Sequence, residues 1–187
     1  MYKYVCLALI LSTAHAGVLL TNGDFEQTLD TGWAQRIQGG SAQDTIDRQT
    51  YFDPDGDYEA RVKKYDDAYA KLWQTVAVPT TDLEFSVYTK LYAYEFDMLG
   101  TNWISAAIVL AYLDADDNVL GQTRICRNSP HCPYTNTSTF HMIPHLDPNS
   151  WSTYSFNIND ELANLPGITP SDIAKITVAL FDTTNGC

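Results

Sequence analysis

The amino-acid sequence predicts an all-β sandwich of two antiparallel sheets, and three observations carry that expectation. Short runs of alternating apolar and polar residues recur along the 187-residue chain, and clusters of Asp, Asn, Gly, Pro and Ser separate them. No apolar pattern of helical period extends far enough for an amphipathic helix. Because period-two alternation gives a strand one apolar face that must be covered, a series of such strands closes into a sandwich or jelly roll.

The N-terminus reads as a secretory leader. Lys3 supplies a positive start, Val5 to Leu11 an apolar centre, and Ala14-His15-Ala16 a small-x-small cleavage site, so residues 1–16 are expected to be a signal peptide and residues 17–187 a single domain. A membrane-spanning helix needs about 20 apolar residues, more than this run offers.

Within residues 17–187, Gly17 to Thr21 is expected as the first strand and Arg61 to Lys64 as a short one. Lys71 to Val78 places Leu72, Gln74, Val76 and Val78 on one face and Trp73, Thr75 and Ala77 on the other, and Pro79 ends it. Leu83 to Tyr94 alternates with Leu83, Phe85, Val87, Thr89, Leu91 and Ala93 toward the core and Glu84, Ser86, Tyr88, Lys90, Tyr92 and Tyr94 away from it. Trp103 to Leu113 is apolar on both faces, which marks a central strand, and Asp114-Ala115-Asp116-Asp117-Asn118 turns it into Val119 to Ile125 as a hairpin. Residues 126–150 read as an irregular insertion. Trp151 to Ile158 resumes the alternation, Asp160 to Leu165 suits one helical turn, and Ile173 to Phe181 is the last strand.

The formal net charge of −12 disfavours nucleic-acid phosphates and anionic membrane surfaces as partners. Cys6 lies inside the leader. In an oxidising compartment Cys126 and Cys132 are expected to pair as a disulfide across Arg127-Asn128-Ser129-Pro130-His131, leaving Cys187 for a partner chain or a further domain.

Three segments carry a family resemblance. Leu20-Thr21-Asn22-Gly23-Asp24-Phe25-Glu26 with Gly32-Trp33, the strand Ala70-Lys71-Leu72-Trp73-Gln74-Thr75-Val76-Ala77-Val78-Pro79, and Ala111-Tyr112-Leu113-Asp114 with Asn118-Val119-Leu120-Gly121 together resemble the secreted carbohydrate-binding modules of the galactose-binding-domain-like jelly-roll superfamily. The resemblance implies a jelly-roll sandwich of two antiparallel sheets. It implies a structural calcium ion at Glu26, assisted by Asp24, and it sets Trp73 and Gln74 beside the long strand that follows. The family's final strand, which returns beside the first, has no counterpart before Cys187.

Sugar recognition combines aromatic rings, which stack on the apolar faces of pyranoses, with amides and charged groups that bind hydroxyls. Tyr88, Tyr92 and Tyr94, with Lys90, offer that mixture, and Trp73 and Gln74 join them as ligand-binding candidates; Trp33, Trp103 and Tyr134 are candidates at strand ends and loops. Asp53-Pro54-Asp55-Gly56-Asp57 is a second acidic turn without the spacing of an EF-hand. Cys126, Cys132, His141 and His145 imitate a zinc set, but the cysteine spacing and the interrupting Pro133 and Pro144 argue against one. Asn136-Thr137-Ser138 is an acceptor sequon for glycosylation at Asn136. No nucleophile elbow, phosphate loop or catalytic set emerges. The expected function is therefore that of a secreted, non-catalytic carbohydrate-binding module. An extracellular structural or adhesion module is the alternative, and a polysaccharide hydrolase the third reading.

Overall fold

The computed structural model describes residues 5–12, 18–51, 56–94 and 100–186, and within them the chain is all-β, in two packed sheets. The strands are β1 (Val5–Ser12), β2 (Ala34–Gln38), β3 (Thr45–Gln49), β4 (Glu59–Lys63), β5 (Ala68–Ala77), β6 (Glu84–Leu91), β7 (Ile104–Leu113), β8 (Val119–Asn128), β9 (Phe140–Pro144), β10 (Ser152–Asn157) and β11 (Lys175–Thr184). One sheet runs β10-β6-β1-β4-β3, the other β2-β5-β11-β7-β8-β9. The sheets are not wholly antiparallel as expected, because β9 lies parallel to β8.

Faces follow the alternation. Leu83, Phe85, Val87, Thr89 and Leu91 are buried, and they meet Ala70 and Leu72 of β5, Ile108, Leu110 and Tyr112 of β7, and Val178 and Leu180 of β11 in the core between the sheets. All ten residues of β7 are buried, which fits its place between β11 and β8. Its hairpin with β8 carries a bulge at Tyr112/Leu113, and Asp114 braces the turn by accepting hydrogen bonds from Asp116 N–H and Asn118 N–H. The expected helical turn is present as α1 (Ile158–Glu161), continued by a 3-10 turn over Leu162–Asn164, and Asn157 caps it.

Several expectations are corrected. Residues 19–24 form turns, with a single bridge at Val18, so the N-terminal motif is no strand. Its residues are structural instead. Asn22, at φ 50°, accepts Gln27 N–H and donates to the carbonyls of Gln27 and Thr28, while Phe25 is buried against Trp33 at 5.1 Å between ring centroids. The segment 126–150 is more ordered than its composition suggests, since β8 runs on to Asn128 and β9 falls inside it. Most unexpectedly, β1 consists of the residues read as the centre of the leader. It pairs antiparallel with β6 over eight residues, Val5↔Leu91 to Ser12↔Glu84, and with β4 over Val5↔Val62 to Leu7↔Ala60. The cleavage motif Ala14 to Ala16, the acidic pair Asp53 and Asp55, and Cys187 lie outside the described residues.

Candidate functional site

The ligand candidates divide between two distant faces. Trp73 is on β5 and Tyr88 on β6, and these strands do not pair: β5 lies between β2 and β11, β6 between β1 and β10. The neighbourhood that the resemblance implied is therefore absent. Tyr88 stacks on Trp151 at 4.9 Å, on the side of its sheet away from the core. Tyr92 is half-buried and Tyr94 exposed, both just beyond the end of β6. Gln74 faces inward, accepting Thr21 N–H at 2.7 Å and donating to Thr21 O at 2.9 Å, so it clamps the N-terminal turn. Trp33 is likewise structural, buried with its indole N–H donating to Asn22 O at 3.0 Å.

What the register does assemble is the outer face of the six-stranded sheet. One row across it reads Ala34, Trp73, Ala179, Val109, Arg124 and Met142; the next reads Arg36, Lys71, Phe181, Ala107, Cys126 and Pro144. Small residues occupy the middle. Ala107, Val109, Ala111 and Ala179 form a buried floor that, with Leu113 and Cys126, makes a second apolar cluster separate from the core. Larger side chains rise around it, with Trp73 and Phe181 packed on the cluster and Lys71, Gln122 and Arg124 lining a hollow of about 200 Å³. Large residues beside a row of alanines turn a flat sheet into a shallow trough.

Arg124 organises the rim. Its Cζ lies 4.7 Å from the Tyr134 ring centroid, 4.9 Å from Phe140 and 5.4 Å from Phe181, a cation–π cage of three rings. Gln122 Oε1 accepts from Arg124 Nε and Nη2 and fixes the plane of the guanidinium, while Nη1 is buried without a hydrogen-bond partner. Across the trough Lys71 Nζ lies 5.0 Å from the Trp73 ring centroid. Burial, and then the charge of Arg124, pull the Lys71 ammonium below its ordinary pKa. Trp103 packs edge-on against Tyr134 at 5.5 Å and Tyr69 against Phe181 at 5.8 Å, extending the aromatic rim. Of the sequence candidates, Trp73, Trp103 and Tyr134 come to this side. Lys71, Gln122, Arg124, Phe140 and Phe181 went unnoticed, although Lys71 stands two residues from Trp73 on the same face of an alternating strand.

The cysteine expectation is corrected: Cys126 and Cys132 are free thiols. Cys126 is buried in the apolar cluster, and burial pushes its thiol up to about 11, so it carries little thiolate for exchange. His141 and His145 serve separate structural networks. His141 Nδ1 meets the buried Glu161 at 2.6 Å, and Glu161 also accepts from Thr123 and Asn164, fastening α1 to β8. His145 sits against Tyr154 and accepts Leu91 N–H, tying the end of β9 to the other sheet. Asn136 is exposed, with Oδ1 accepting Met142 N–H.

At the expected calcium position, Asp24 and Glu26 are exposed, and Glu26 Oε1 accepts Tyr58 N–H. A different cation serves the turn: Arg48 donates through Nε to Phe25 O and through Nη2 to Glu26 O, with its guanidinium 3.3 Å from the Tyr58 ring centroid. Calcium binds by gathering six to eight oxygens, and here two neighbouring carbonyls already face a positive charge that would repel it. Asp24 and Glu26 as placed do not fit the ion. Among the described residues no group of three or more His, Cys, Asp or Glu side chains forms a metal site, and no helix is long and apolar enough to cross a membrane. No protein-family model matches this chain, and no curated protein matches it.

Proposed function

We propose that the protein is a non-catalytic carbohydrate-binding module whose binding surface is the outer face of the six-stranded sheet. The observation that carries this reading is the trough itself, an apolar floor of Ala107, Val109, Ala111 and Ala179 bordered by Trp73 and Phe181 and by the polar ends of Lys71, Gln122 and Arg124. A pyranose presents an apolar face and a belt of hydroxyls, and a surface that matches it offers rings for the first and fixed amide and cationic donors for the second. The face carrying Tyr88 lacks that arrangement, because Tyr88 is already stacked on Trp151.

Affinity electrophoresis of the purified protein through gels containing single polysaccharides tests the proposal. Retardation by at least one polysaccharide is expected, and Trp73→Ala should weaken it by about 1–3 kcal/mol, the scale of one aromatic stacking partner, while Tyr88→Ala leaves it unchanged. Binding lost with Tyr88→Ala but kept with Trp73→Ala would move the site to the five-stranded sheet. Absence of retardation on every polysaccharide, with concentration-dependent self-association or capture of a protein ligand instead, would favour the adhesion reading.

A further inference from the structure

The trough holds two cations and no acid in an acidic chain. Acidic residues number 23 and basic ones 11, yet none of the residues lining the hollow is acidic. Elsewhere Arg61, Lys64 and Lys175 are matched with the carboxylates of Asp47, Asp44 and Asp117, and Arg48 and Arg127 donate to backbone carbonyls. Neither Lys71 nor Arg124 forms an ion pair among the described residues. Both are half-buried, on the same side of one sheet, and close enough for Arg124 to disfavour the charge on Lys71. Two unneutralised cations facing each other across an apolar floor are unfavourable in the free protein, and an anion between them relieves the repulsion.

We propose that Lys71 and Arg124 select an anionic saccharide, with a carboxylate or sulfate group of one sugar unit held between them while its ring lies on the floor of Ala107, Val109 and Ala179. This rests on the carbohydrate reading and adds the class of sugar. The geometry suits it. β5 and β8 are separated by β11 and β7, three strand spacings or about 14 Å at ~4.8 Å each. Lys71 and Arg124 stand in neighbouring rows, Lys71 in line with Phe181 and Ala107 and Arg124 in line with Val109 and Ala179, and both line the hollow. Gln122 takes the Nε and Nη2 edge of the guanidinium and fixes its plane, which leaves Nη1, buried and without a hydrogen-bond partner, as the donor for an anionic oxygen. Because the surface elsewhere is acidic, an anionic polymer is tolerated only where a local positive field offsets the overall repulsion, and this trough supplies one.

The test compares three polymers by affinity electrophoresis and titration calorimetry: a polyuronate, a sulfated galactan and a neutral galactan, each at low and high salt. Binding to one or both anionic polymers at least ten-fold tighter than to the neutral one, and weakened by salt, is expected. Lys71→Gln and Arg124→Gln should remove the preference, Lys71→Arg should keep it, and thermal melts confirm that each variant is folded. The polyuronate and sulfated arms tell carboxylate from sulfate. Equal, salt-insensitive binding to all three polymers would overturn the proposal and leave the carbohydrate reading standing. No polymer binding together with Lys71-dependent binding of inorganic sulfate would keep the anion site and overturn the sugar. No binding of either kind would overturn both.

Discussion

At the residue scale, the strongest constraints are charges held where water does not reach. Lys64 and Asp44 form an ion pair with side-chain exposures of 0% and 2%, at 2.5 Å, and Asp44 also accepts Tyr65 N–H and Ser41 N–H. Burial alone would raise the Asp44 pKa, but these bonds outweigh it and hold the carboxyl below its ordinary 3.8. Its contribution is therefore complete above the unfolded value and is lost as pH falls through the folded one. His145, kept neutral by burial, also lies below its ordinary 6.5, and the same sign applies in a higher window, starting as pH drops under about 6.5. Melting temperatures measured from pH 8 downward are expected to fall in two stages, the first absent in His145→Gln. Asp44→Ala, which leaves Lys64 buried and unpaired, should cost about 3–5 kcal/mol in a denaturant titration. Arg48 permits a third check: Arg48→Ala should destabilise by about 1–3 kcal/mol by freeing the carbonyls of Phe25 and Glu26. Adding calcium to the unaltered protein should leave its melting temperature where a chelator leaves it; a rise would restore the ion to the turn at Glu26.

At the scale of elements, alternation told the faces of strands more reliably than it told their neighbours. Leu83 to Leu91 and Leu72 to Val78 were assigned to the right faces from period two alone, and the uninterrupted apolarity of β7 marked it as central. Pairing was another matter. The partner of a strand depends on chain crossings that leave no local pattern, so β5 and β6, adjacent in sequence, ended in different sheets, and with them Trp73 and Tyr88. β2 and β3 escaped notice because Ala34–Gln38 is exposed throughout and Thr45–Gln49 half-buried throughout, which leaves no alternation to read. β9 was hidden in a stretch rich in Pro and Asn, its parallel pairing with β8 held by Gln122 N–H to Thr139 O and His145 N–H to Cys126 O at its two ends. The cation cage around Arg124 was illegible for the same reason, since its rings come from β9, β11 and a loop. Gly121 shows how tightly these elements close. A Cβ there would lie 2.4 Å from Ile168 Cδ1 and 2.5 Å from Thr139 O, beside the bulge of β7. Gly121→Ala is expected to destabilise by about 1–3 kcal/mol through overpacking, measured as a shift in denaturant midpoint.

At the scale of the whole molecule, the five-stranded sheet depends on a strand whose sequence suits a second use. β4 and β6 are both antiparallel to β1 and hence parallel to each other, and with β1 between them their backbones stand two strand spacings apart, about 10 Å at ~4.8 Å each, too far to pair directly. Val5 to Leu11 is also the apolar centre expected of a secretory leader, and a chain cut after Ala16 cannot keep β1. Removing it opens one edge on β6 along eight residues and another on β4, over a core that includes Phe85, Val87, Leu91, Ala60 and Val62. Unpaired strand edges over an apolar layer accept another strand readily. A chain beginning at Gly17 is therefore expected to melt lower than one beginning at Met1, to bind a hydrophobic dye, and to exchange the amides by which β6 and β4 pair with β1 faster by hydrogen exchange. The amides of β7 and β11, in the intact six-stranded sheet, should keep their protection. A synthetic peptide spanning Val5–Ser12, added in trans, should restore the slow exchange on β6 more fully than on β4, in proportion to the eight pairs and three that β1 makes with them. Equal protection and melting temperature in the two chains, with no response to the peptide, would mean that the sheet closes without β1 and that the edges of β6 and β4 accept no added strand.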